Sequence, residues 1–85
     1  MKIVYDGVHK INPNGVRITK FDNAFVLSTV NAKLEPWYGE YETALWKNGS
    51  WHILKGYSNL EDARKGHEKF MNMSEKELDE YDYIG

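Results

Sequence analysis

The chain has 85 residues, 41% of them hydrophobic and 28% charged, with a formal net charge of −2 and no cysteine. That suffices for one domain with one core but not for a deep enclosed active site, and it excludes disulfides and thiolate metal centres. Residues 1–40 carry five Lys/Arg against four Asp/Glu and residues 41–85 six against nine, so neither half is the basic surface that duplex nucleic acid requires.

From the N-terminus, Lys2 to Tyr5 alternates as a strand, Asp6-Gly7 reads as a turn, and Val8 to Ile11 as a short segment pairing back. Asn12-Pro13-Asn14-Gly15 is a turn with Pro13 preset for its second position and Gly15 free to take positive φ. Val16–Phe21 and Ala24–Val30 flank Asp22-Asn23 as a tight two-residue hairpin. In that register Val16, Ile18, Phe25 and Leu27 share the buried face, and Arg17, Thr19 and Ser28 the wetter one. Residues 31–40 lack a regular pattern. Trp37 and Tyr38 make this stretch a candidate binding loop, against the plainer reading that both rings cap the core.

The strongest local signal is Asn48-Gly49 between two aromatic and aliphatic runs, Tyr41–Lys47 and Ser50–Lys55. A type I′ turn needs positive φ at both central residues, which Asn and Gly tolerate best. Lys47 then faces Ser50, and Trp46 lies opposite Trp51, Ala44 opposite Ile53 and Glu42 opposite Lys55 on one face. Tyr41, Thr43, Leu45, His52 and Leu54 occupy the other, and both faces are apolar enough to be covered in part.

Past Gly56, Ser58 with Glu61 three residues on reads as a capping box opening a helix over 58–72. Leu60, Ala63, His67 and Phe70 form its apolar stripe, with Met71 at the edge. Gly66 inside a helix costs about 1 kcal/mol relative to Ala, which points to close packing. His67 on the stripe reads as a core-edge ring hydrogen-bonded to sheet backbone or a Tyr hydroxyl. Ser74 and Glu77 form a second capping box, with Met73 and Leu78 as its hydrophobic staple, opening an acidic helix over 74–82. The expected fold is α+β: an antiparallel β-meander of about five strands over residues 1–55, one packing α-helix, and a short acidic C-terminal helix, all in one domain.

Tyr41-Glu42-Thr43 followed by apolar residues, then Tyr57-Ser58, Glu61, Ala63, Gly66 and His67, resembles a pattern in small uncharacterised phage and prophage proteins. These carry a Tyr-Glu-Thr strand followed by a Tyr-Ser/Thr-x-x-Glu-x-Ala-x-x-Gly-His helix. The resemblance covers about residues 41–72. It implies a phage-like origin, and hence the host cytosol, but no activity and no functional residue.

No phosphate loop, His-Glu-x-x-His helix or calcium loop is present. His9, His52 and His67 fall on different elements without metal-ligand spacing, and His52 and His67 meet only if the helix crosses the His52 face of the hairpin. The carboxylates cluster on outer helices rather than in a cleft. Neither an enzyme, a cofactor nor a metal site is expected, and no leader or membrane span.

The residues point to binding. An acidic strip interleaved with aromatics suits a basic partner, such as a nucleic-acid-binding host defence (anti-CRISPR-like) or transcription factor. The candidate contacts are Glu77, Asp79, Glu80, Tyr81, Tyr83, Trp37 and Tyr38; the plainer reading of the strip is a solvated terminal helix. A second possibility is an oligomeric sponge for a nucleotide-like signalling molecule, with Trp46 and Trp51 stacking and Arg17 and Lys20 near phosphates. A structural or assembly protein is a third.

Overall fold

In the computed structural model, which describes residues 1–8, 13–33 and 37–85, the Asn48-Gly49 turn forms as its chemistry dictates. Both residues have positive φ, 52° and 80°, and Lys47 pairs with Ser50, Trp46 with Trp51 and Ala44 with Ile53. The two strands this turn joins, β4 (Tyr41–Lys47) and β5 (Ser50–Tyr57), end a five-stranded antiparallel sheet. The others are β1 (Ile3–Gly7), β2 (Gly15–Phe21) and β3 (Val26–Asn31), and the spatial order β1-β2-β3-β4-β5 is that of a simple meander. Two helices follow, α1 (Leu60–Met71) and α2 (Glu75–Asp79), so the α+β architecture is as the pattern predicts.

Three local expectations are corrected here, and a fourth falls outside the described residues. A bulge at Leu54 moves the β4–β5 pairing, so Lys55 faces Thr43 and Glu42 faces Gly56 instead of Lys55. Asp6 and Gly7 are not a turn but the end of β1, paired with Thr19 and Ile18. Pro13 and Asn14 do turn, but Gly15 opens β2 and lacks the positive φ expected of it. The pairing expected of Val8 to Ile11 rests on residues that, like Asn12, lie outside those described, Val8 excepted.

The largest correction concerns the β2–β3 hairpin. Its loop has three residues, Asp22-Asn23-Ala24, closed by Phe21 N–H donating to Phe25 O at 2.9 Å. Ala24 sits in the left-handed region at φ 72°, the place a glycine more often fills in such a loop. One extra loop residue slips the register by one, and the side-chain period of two turns that slip into an exchange of faces. Thr19 pairs with Leu27, Arg17 with Thr29 and Ile18 with Ser28. The buried face therefore carries Thr19 and Phe21 from β2 in place of Val16 and Ile18, while Leu27 and Phe25 lie on the core side as expected, joined by Thr29.

α1 crosses this face, contacting β2 through β5. Its cap is Asn59, whose side chain accepts from Asp62 N–H at 2.8 Å, rather than Ser58 with Glu61. Ala63, His67 and Phe70 are its buried residues. α2 has the predicted capping box, Ser74 and Glu77 bonding reciprocally, and Leu78 is fully buried. The core is Phe21, Leu27, Leu45, Leu54, Phe70 and Leu78, with Phe25, Met71, Met73 and Tyr81 packed against it. Beyond α2 the chain returns to the outer edge of β5, where Ile84 N–H donates to Ile53 O at 2.7 Å and Ile53 N–H to Gly85 O at 2.9 Å. The opposite sheet face is covered in part, as expected: Tyr38 lies over Gly56 at its β5 end, while no helix among the described residues packs on it.

Candidate functional site

The exchanged register adds Thr19 to Thr29 and Thr43 on the face under α1, and the three make a polar seam through the core. His67 Nε2 is 2.8 Å from Thr19 Oγ1 and Nδ1 is 2.7 Å from Thr29 Oγ1. Thr29 Oγ1 is 2.6 Å from Thr43 Oγ1, which reaches the Tyr57 hydroxyl at 3.2 Å. At the other end Thr19 donates to Asp6 Oδ1 at 2.8 Å, and Arg17 grips Asp6 through two hydrogen bonds and Glu68 through a third.

The Arg17 guanidinium, donating to Asp6, holds that carboxyl below its ordinary range, and it is itself held charged by Asp6 and Glu68. Burial, seconded by the Arg17 charge, pushes the His67 ring down to about 4, so it is neutral at pH 7. The hydrogen-bond network assigns its tautomer. Thr19 spends its proton on Asp6 and must accept from Nε2–H, which leaves Nδ1 to accept from Thr29. Partners are thus threonine hydroxyls, not the sheet backbone or tyrosine hydroxyl expected. No buried side-chain polar atom among the described residues lacks a partner. The seam is closed, and its work is to fix α1 on the sheet.

His52 and His67 stay apart in role: His52 stacks on Tyr83 with centroids 4.3 Å apart and its Nε2 is 3.2 Å from Ser50 Oγ. Among the described residues no three His, Cys, Asp or Glu side chains gather as metal ligands. No helix among them is long and apolar enough to cross a membrane.

The acidic C-terminal region offers an open concavity of about 520 Å³ lined by Met73, Glu77, Glu80, Tyr81 and Asp82. Its geometry follows from the local sequence. Leu78 buries into the core, which turns Glu77 and Glu80 outward, and Tyr81 packs edge-on against Phe70 at 4.9 Å. Lys47, nearly buried, donates to Asp79 O at 2.6 Å and to Asp79 Oδ1 at 3.3 Å, pinning the end of α2. The region is a docked, ordered surface with an apolar floor from Met73 and Tyr81 and three carboxylates around it.

Of the candidate partner contacts, Glu77, Glu80 and Tyr81 come together in this groove. Asp79 is committed to Lys47, and Tyr83 lies between His52 and Lys47, whose Nζ is 5.7 Å from its ring centre. Trp37 is 79% exposed, and the Tyr38 backbone packs against Gly56 at the far end of β5. Met73 and Asp82 complete the groove. The sequence marked Met73 only as a staple, because the fold of the chain after α2 is what sets it beside Tyr81.

The second candidate set is divided. Lys20, Val26, Trp46 and Trp51 form one cross-strand row on the open face, with Trp46 and Trp51 edge to face at 5.4 Å. Arg17 lies on the opposite face, held by Asp6 and Glu68. Comparison with protein-family models, with curated proteins and with solved structures finds no match to this chain, so the site rests on its own geometry.

Proposed function

We propose that this chain is a non-enzymatic accessory protein that acts by binding another protein, receiving a basic segment of it in the acidic groove beside α2. The observation that carries this reading is the combination of Met73 and Tyr81 as an apolar floor with Glu77, Glu80 and Asp82 around it. An Arg or Lys side chain lays its methylenes on such a floor while its head meets the carboxylates. The groove is ordered before the partner arrives, because Leu78, Tyr81 and the Lys47–Asp79 contact hold it, and that lowers the ordering cost of binding. The resemblance to small phage proteins suggests a host target in the cytosol. A nucleic-acid-binding defence or transcription factor has the required basic surface, and the carboxylates would stand where phosphates otherwise sit.

Backbone NMR during titration with a Lys/Arg-rich peptide tests the groove. Shifts should concentrate on Met73 to Asp82, and affinity should fall with added salt. The combined variant Glu77→Gln, Glu80→Gln and Asp82→Asn should weaken binding at least about tenfold. It keeps the helix cap, because glutamine serves as well as glutamate at the third position of a capping box. Shifts centred elsewhere, or unchanged affinity in the folded variant, would overturn the reading. Pull-down from host lysate, with the same variant as control, then identifies the partner.

A further inference from the structure

The face of the sheet opposite α1 has no role in the groove, yet its side chains are those of a core. Tyr5, Lys20, Val26, Trp46 and Trp51 form one cross-strand row, and Gly7, Ile18, Ser28, Ala44 and Ile53 the next. Tyr5 is 41% and Trp51 48% exposed, and the apolar residues between them are partly exposed. Lys20 is the only cation in the two rows, too little for a nucleic acid.

We propose that this face is the interface of a homodimer, in which a second copy packs sheet against sheet around a two-fold axis running along β3. β3 is the central strand, so that axis lays β1 over β5 and β2 over β4 of the second copy. The rows then match themselves. Tyr5 meets Trp51 of the second copy, ring against ring. Lys20, whose ammonium already lies 5.9 Å from the Tyr5 ring centre, meets Trp46 of the second copy as a cation over an aromatic. The Tyr5 ring leans over Gly7 and presents its edge to Ile53 of the second copy, Ile18 meets Ala44, and Val26 and Ser28 meet their own equivalents on the axis.

Aligned sheet packing rotates the layers by about 30°, so the pairings hold best near β3 and loosen toward the edges. The area is that of a weak dimer. Five strands about 4.8 Å apart and two to three rows about 7 Å apart span roughly 20 by 20 Å. Two such faces bury on the order of 800 Å² in total, below the standard size of a stable interface, so association belongs to the upper part of the concentration range. Because α1 and α2 lie on the outer faces of this assembly, both acidic grooves remain open.

Sedimentation equilibrium of the full chain from about 1 μM to about 1 mM reads the proposal, which expects twice the 9.9 kDa chain mass at the upper end. Val26→Lys sets two cations against each other on the axis, and Trp51→Glu removes an outer ring without touching the core. Each should weaken the dimer by about thirtyfold or more while circular dichroism stays unchanged, whereas Trp37→Ala should leave the mass as it is. Should Val26→Lys fail to fold, Trp51→Glu decides. A monomer at about 1 mM, a dimer indifferent to the folded variants, or an open-ended series of larger masses through the β1 edge would each overturn it.

Discussion

Gly66 of α1 lies directly against the Tyr57 ring of β5, so close that a Cβ there would collide with the ring and its hydroxyl. The Tyr57 hydroxyl is also the terminus of the threonine–histidine seam, and burial holds it un-ionised by pushing its pKa up. Gly66 is therefore the residue that lets the helix settle onto the sheet.

Gly66→Ala should destabilise the fold by about 1–3 kcal/mol, despite the roughly 1 kcal/mol gain in helix propensity. Urea unfolding measures this, and the double-mutant cycle with Tyr57→Ala isolates the cause. In the Tyr57→Ala background the same change should be neutral or stabilising. An equal loss in both backgrounds would place the cost elsewhere.

His67 predicts how stability depends on pH. Its folded pKa of about 4 lies below the ordinary histidine value of about 6.5, so the unfolded chain takes up a proton that the folded chain refuses. Stability is unaffected by this residue above pH 6.5 and declines as pH falls from 6.5 toward 4, by about 3 kcal/mol in total. Asp6, whose pKa is lowered, adds stability that is lost only at still lower pH, below the ordinary carboxylate range. Denaturation curves at pH 7.5 and 5 should show the loss, and His67→Leu should flatten it while lowering stability at pH 7.5. A slope that survives in the variant would assign the proton to another group.

The helix cap separates two adjacent residues. Asn59→Ala should cost about 1 kcal/mol, because Asp62 N–H loses its acceptor. Ser58→Ala should stay within about 0.5 kcal/mol. Reversed values in the same urea assay would restore the capping box at Ser58.

Much of the local architecture was legible in residue order. Asn48-Gly49 specifies its turn through positive φ, and the Trp46–Trp51 and Ala44–Ile53 pairs follow by counting outward. Ser74 and Glu77 announce α2, and the 3.6-residue stripe of Ala63, His67 and Phe70 announces the buried side of α1. Each of these is set within a few residues along the chain, where local chemistry is decisive.

What only the tertiary structure decided depends on one residue of register and on distant neighbours. Whether Asp22-Asn23 closes a two-residue or a three-residue loop changes little locally, since Ala24 gives no glycine signal for its left-handed conformation. Yet it turns β2 over relative to β3, so Thr19, which looks wet in sequence, lies under His67 beside Thr29 in the fold. The acidic groove shows the same division. Its carboxylates stand in plain view in the sequence, but Leu78 docking into the core, Tyr81 against Phe70 and Lys47 on Asp79 turn a charged tail into a shaped surface. Those contacts join residues separated by 11 positions for Tyr81 and Phe70 and by 32 for Lys47 and Asp79, and only packing selects them.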